Sequence, residues 1–219
     1  EPASLAALDA SVSDVPVMLV SGDLHCGWLN SAAARRFGVE LDDTGVLREE
    51  PWIRLHHGLE LSASLPLEAY REAAQAAAAR GLVGIVEYEE ADNATAWPDR
   101  VAGGLTELRV EGAVWPNGLE RAISRGLCTG DVLDERGLIT FGPLKVVVDG
   151  SLNTRTAWCW DPYPGADPSH PHACGVQSIG IDELRGLLER AHGAGIAAAV
   201  HAIGDRANSE VLDAFAAVG

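Results

Sequence analysis

Short runs of β-branched and small apolar residues alternate along this chain with amphipathic or Ala-rich stretches. Residues 16–21 (PVMLVS), 82–88 (LVGIVEY), 108–115 (LRVEGAVW), 144–148 and 196–201 read as strands, the last two apolar enough to be buried on both faces. Helical signals fall between them. Residues 30–37 start with an Asn cap, and 66–80 open on Pro66 with Glu68 in the first turn and stop at Gly81. Further helices are expected over 117–125, 181–192 and 207–218. Residues 38–65 are polar without a sustained period and read as a loop or small insertion. Four strand–helix units in succession imply a parallel sheet, either doubly wound or part of a (β/α)8 barrel.

Two of the apolar strands contain an ionisable residue, Lys145 and His201. Burying such a group costs several kcal/mol unless it is paired or holds a metal, so the two positions suggest a built site. Both strands run into Asp and Gly, at Asp149-Gly150 and Gly204-Asp205, which suits sharp turns at their C-terminal ends. Catalytic groups of a barrel sit at those ends, where Asp149, Asp205 and the cluster Glu87, Glu89, Glu90 and Asp92 fall. No GxGxxG or GxxxxGK[ST] occurs, which removes the main support for a nucleotide-binding sheet.

Charge and cysteines narrow the class. The 219 residues hold 16 basic and 32 acidic side chains, a net charge of −16, which argues against nucleic acid or an anionic membrane as partner. No apolar run is long enough to span a bilayer, and the first residues lack the basic start of a signal peptide. Cys26, Cys128, Cys159 and Cys174 contain no CxxC pair. They read as reduced thiols, and the chain as cytoplasmic.

The stretches LKVVVDGSLNTRTA and VHAIGDRA, in this order, resemble the metal-dependent amidohydrolase superfamily. They most resemble its branch of N-substituted formamide deformylase-like enzymes. GDLHCGWLNSAAA (residues 22–34) looks like the DGHxxWxNSxAL stretch of that branch, and Pro162-Tyr163 is also similar. The resemblance implies an α/β fold, here a partial (β/α)8 TIM-type barrel of roughly strands two to five. Residues 1–65 would be an N-terminal insertion carrying substrate loops, and 66–219 the central part of the barrel. It implies a divalent metal, usually zinc, with Lys145 as the carboxylated lysine and His201 as the fifth-strand histidine ligand. It also implies hydrolysis of non-peptide, amide-like carbon–nitrogen bonds in a small molecule by a metal-activated water.

The chain departs from the family at its ends. No HxH pair lies near the N-terminus; His56-His57 is adjacent, and His170-Pro171-His172 lies in a Pro-rich loop after the fourth strand. The sixth-strand histidine and the general-base Asp are expected outside this chain, which reads as an internal piece of a longer enzyme. Two ligands alone should hold zinc weakly, so little or no metal is expected in the piece, and its open sheet edges should favour self-association. An alternative is a degenerate barrel that binds a small molecule without catalysis.

Each residue also has a plain reading. Lys145 reads alternatively as an ammonium paired with Asp149, and His201 as a satisfied core histidine. His25 reads equally as a substrate contact or as a cap for the following helix. Asp149 and Asp205 fit turn formers bonded to their own backbone as well as support for the metal site, with Arg155 and Arg206 as their ion-pair partners. The Glu87–Asp92 cluster suits a solvated loop. Trp28, Trp115, Trp158 and Trp160 fit an apolar substrate pocket or ordinary core. The remaining histidines are assigned to surface or loop positions.

Overall fold

A computed structural model describes residues 3–22, 24–59 and 65–219. The chain divides into two compact units, one formed by Glu1–Ala63 with Gly150–Thr156, the other by Ser64–Asp149 with Ala157–Gly219.

The first unit contains helix α1 (Leu5–Ser11), strands β1 (Met18–Val20) and β2 (Cys26–Leu29), α2 (Ser31–Phe37), β3 (Val46–Arg48) and α3 (Glu49–Gly58). The strands form an antiparallel sheet in the order β1-β2-β3 around Leu29, Ala33 and Trp52. Asn30 is fully buried and does several jobs. Its Oδ1 caps α2 by accepting from Ala33 N at 2.9 Å and also accepts from Val17 N, while its amide donates to the carbonyls of Val12 and Val15. Residues 38–65 therefore do not form a plain loop: their described part contains β3 and α3, and residues 60–64 lie outside the described positions. Polar residues concealed α3, which buries Trp52 and leaves most of its other side chains half-buried or exposed.

The second unit holds α4 (Leu67–Ala78), β4 (Gly84–Glu87), α5 (Asn93–Ala102), β5 (Arg109–Val114), α6 (Pro116–Ser124), β6 (Ile139–Val147), α7 (Ile181–Gly193), β7 (Ala198–His201) and α8 (Asp205–Val218). Its four strands are parallel and in sequential order, β4-β5-β6-β7. The predicted elements are found here, with two differences. Helix α5 was not anticipated, because Pro98 lies inside it and its first turn is polar. Strand β6 begins five residues earlier than expected, because Gly142 and Pro143 interrupt its apolar run.

That interruption matters. Gly112 pairs with Phe141 but Val114 pairs with Leu144, so β6 carries one extra residue here. A bulge of one residue reverses which side chains face which side. Before it, Ile139 and Phe141 face the helices; after it, Leu144, Val146 and Val148 do. Gly142 permits the close approach, since a Cβ there would lie 2.9 Å from the Gly112 carbonyl.

The helices pack on one face of this sheet. Leu144, Val146 and Val148 are covered by Leu119 and Ala122 of α6, Leu184, Leu187, Leu188 and Ala191 of α7, and Val211 and Ala214 of α8. Val110 and Ile139 are covered by Ala74 of α4 and by Trp97 and Val101 of α5. Each fully buried aliphatic side chain contributes about 1.5–3 kcal/mol.

Candidate functional site

The second face of the parallel sheet carries the chemistry. In the register of β6 and β7, Lys145 pairs with Ala199 and Val147 with His201, while Ala198 and Val200 join the helix-covered core. Lys145 and His201 therefore project from the same face of adjoining strands, with His201 one step nearer the C-terminal end. The bulge in β6 is what turns Lys145, rather than Leu144, to this side.

Lys145 is half-buried, and burial holds its pKa below the ordinary lysine value. Its Nζ lies 4.9 Å from the centre of the Tyr88 ring, beyond the end of β4. Among the described residues, the ammonium has no hydrogen bond and no ion pair, so the expected pairing with Asp149 is not found. Trp115, at the end of β5, donates from its indole Nε1 to the Tyr88 carbonyl at 3.0 Å. This bond ties together the two strand ends beside Lys145.

Asp149 is fully buried. Oδ2 accepts from Trp158 N and Gly204 N, each at 2.8 Å, and Oδ1 accepts from Ile203 N at 2.9 Å. It is thus not a turn former serving its neighbours; its donors lie 9, 54 and 55 residues away. Oδ1 is also 3.8 Å from His201 Nε2. That is beyond hydrogen-bond reach. The VHAIGDRA stretch folds around this anchor. A Cβ at Gly204 would lie 1.9 Å from the Trp158 carbonyl oxygen, so only glycine fits. Asp205 Oδ1 accepts from Trp160 N at 3.0 Å and from Arg206 N at 2.8 Å, which fastens the loop after β6 to the start of α8.

The other candidates separate. The Arg206 side chain lies against the rings of Trp158 and Trp160 instead of pairing with Asp205. His25 precedes β2 in the first unit, and the cap it was weighed for is supplied by Asn30. Arg155, also grouped with the first unit, is exposed and has a left-handed backbone, φ 58°. Of the tryptophans, Trp158 is buried, Trp160 is 53% exposed, and Trp28 is half-buried on β2. The acidic cluster is spent on the loop: Glu87 accepts from Glu89 N, Glu90 from Asn117 and Asp92 pairs with Arg121. His56 is not in a loop; it lies half-buried on α3 with its ring 5.2 Å from that of Trp52. His170 and His172 are exposed, and the side chain of His57 lies outside the described positions. All four cysteines are free of disulfides. The Tyr163 hydroxyl donates to the Ala157 carbonyl at 2.9 Å; burial and the neighbouring Cys159 thiol push its pKa up to about 12.

His201 and Lys145 suit a divalent cation unequally. Neutral imidazole is a ready ligand, whereas an ammonium becomes one only after conversion to an anion. Among the described residues, no three His, Cys, Asp or Glu side chains gather closely enough to hold a metal by themselves. No described helix is long and apolar enough to cross a membrane.

The curled parallel half-barrel sheet resembles the fold of metal-dependent hydrolases. The whole chain, residues 1–219, matches the amidohydrolase family, and it belongs to that family. YtcJ of Bacillus subtilis (strain 168), an amidohydrolase by name, is 42% identical over 77 residues, 35% of this chain and 14% of the relative. Protein LONG AFTER FAR-RED 3 of Arabidopsis thaliana is 24% identical over 236 residues, covering 93% of this chain and 39% of the relative. Crystal structures of uncharacterised metal-dependent hydrolases from Pyrococcus horikoshii OT3 and Pyrococcus furiosus superpose with TM-scores of 0.70 and 0.67. Each is 25% identical; the match covers 99% and 96% of this chain and 45% of each of theirs. The chain thus spans less than half the length of these relatives.

Proposed function

We propose that this chain is the central part of a metal-dependent hydrolase acting on carbon–nitrogen bonds of small, non-peptide, amide-like substrates. Its motifs favour the N-substituted formamide deformylase-like branch, with 66–219 as roughly strands two to five of the barrel and 1–65 as the insertion that carries substrate loops. The observation that supports this best is the placement of Lys145 and His201 on one face of adjoining strands at their C-terminal ends. His201 offers an imidazole nitrogen to a divalent metal, zinc in this reading, and Lys145 joins it once carboxylated. When bound, the metal supplies Lewis acidity for water attack on the amide-like carbonyl. The chain's own residues prepare the place. Burial favours neutral Lys145, the form that takes up carbon dioxide. Tyr88 confines the lysine from one side, and Asp149 holds the loop that follows His201. Asp205 supports the loop between β6 and α8.

The protein is cytoplasmic in this reading. Leu82, Val83 and Val86, exposed along the β4 edge, favour self-association of this chain when it is alone. Elemental analysis and amide hydrolysis by the full-length protein test the function. Bound zinc with turnover of small amides supports the reading; ligand binding with neither metal nor turnover would leave a barrel that only binds.

A further inference from the structure

Arg206 occupies the first turn of α8, five residues beyond His201 and past the C-terminal end of β7. Its guanidinium carbon lies 4.3 Å from the centre of the Trp158 ring and 4.7 Å from that of Trp160. Both distances are within the range at which an indole attracts a cation. Such contacts supply no oxygen or nitrogen acceptor to the guanidinium N–H groups. Nε is buried without a partner, whereas the two terminal nitrogens are not among the buried unpaired atoms. Among the described residues they make no hydrogen bond and no ion pair.

The nearest carboxylate in sequence does not neutralise this group. Asp205 uses Oδ1 for the backbone N–H groups of Trp160 and Arg206. Elsewhere in this unit, arginines within reach of an acid pair with it, as Arg121 does with Asp92 and Arg190 with Glu120. In a chain of net charge −16, a positioned arginine with unspent donors is an arrangement suited to an outside acceptor. Trp160, half exposed, adds an apolar surface beside it.

We infer that Arg206, with Trp158 and Trp160, recognises a carboxylate group of a small-molecule ligand. The planar guanidinium fork matches a carboxylate in two parallel hydrogen bonds, which a lysine cannot reproduce. The inference rests on the hydrolase reading only in making that carboxylate part of the substrate, an amide that also bears an acid. Binding itself requires no metal.

The test is a titration of the metal-free chain with N-acetylglycine and, separately, with its neutral amide, N-acetylglycinamide. The readouts are the nuclear magnetic resonance signals of the Arg206 guanidinium and of the Trp158 and Trp160 indoles. The acid is expected to shift these signals saturably, with the neutral amide at least about tenfold weaker. Arg206→Gln and Arg206→Lys should each weaken the acid about tenfold or more and bring its affinity to that of the amide. Trp160→Ala removes an exposed ring, retains the fold and should weaken the acid about threefold. Equal affinity for acid and amide in the wild type would overturn the inference, as would a folded Arg206→Lys that still prefers the acid by the wild-type factor. Because no metal is present, failure here leaves the hydrolase reading standing, and a full-length protein without zinc would leave this result standing.

Discussion

The two faces of the parallel sheet are built from the same four strands and serve opposite ends. The helix-covered face is apolar without interruption, and Leu144, Val146 and Val148 follow one another along it at intervals of two. The other face offers Lys145, Val147 and His201 at the positions between, all half-buried. Stability therefore comes from one set of alternating residues and chemistry is available to the other, so either can change without the other. Asp149, just past β6, serves both: its carboxylate is buried with the core, yet it holds the loop that follows His201.

Asp149→Ala should produce the largest effect, because it strands three N–H groups at once, those of Trp158 and Gly204 in buried positions. A loss of about 2–6 kcal/mol is expected from about 1–3 kcal/mol for each of the two buried groups, measured by urea unfolding. A loss below about 1 kcal/mol would show that the clasp around Gly204 is not held by this carboxylate. On the covered face, Leu144→Ala should cost about 2–5 kcal/mol through the cavity it leaves. On the other face, Lys145→Met should cost nothing at neutral pH and raise the melting temperature. The sign follows from the depressed pKa. Burial penalises the charged lysine in the folded state, and the penalty is full below the folded pKa and gone above the ordinary value of 10.5. The wild type should therefore gain stability relative to Lys145→Met as pH rises toward 10.5, which thermal melts across that range would show. A wild type already more stable than Lys145→Met at pH 7 would mean that the lysine is stabilised by a partner, and the contrast between the faces would fail.

Much of this contrast could be read from the sequence, and the unread part has a physical cause. Lys145 and His201 stood out because a charge or imidazole inside an apolar run is costly. The helix-covered residues stood out through the same runs. The orientation of Lys145 was not legible, since it depends on a bulge at Gly142-Pro143 that also concealed the first half of β6. The role of Asp149 was hidden for another reason. Its turn-like context suggested local bonds, while its donors at 158, 203 and 204 come from loops that meet only after folding. Arg206 was assigned to Asp205 by adjacency, but the backbone of the α8 start and of Trp160 reached that carboxylate first.

The central claim is that Lys145 and His201 act together on one metal. Elemental analysis of the full-length protein, as wild type, His201→Ala and Lys145→Ala, tests it most directly. Zinc bound near stoichiometrically in the wild type and lost from both folded variants is the predicted result. Zinc retained at the wild-type level in folded His201→Ala would contradict the account, because the metal would then be held elsewhere.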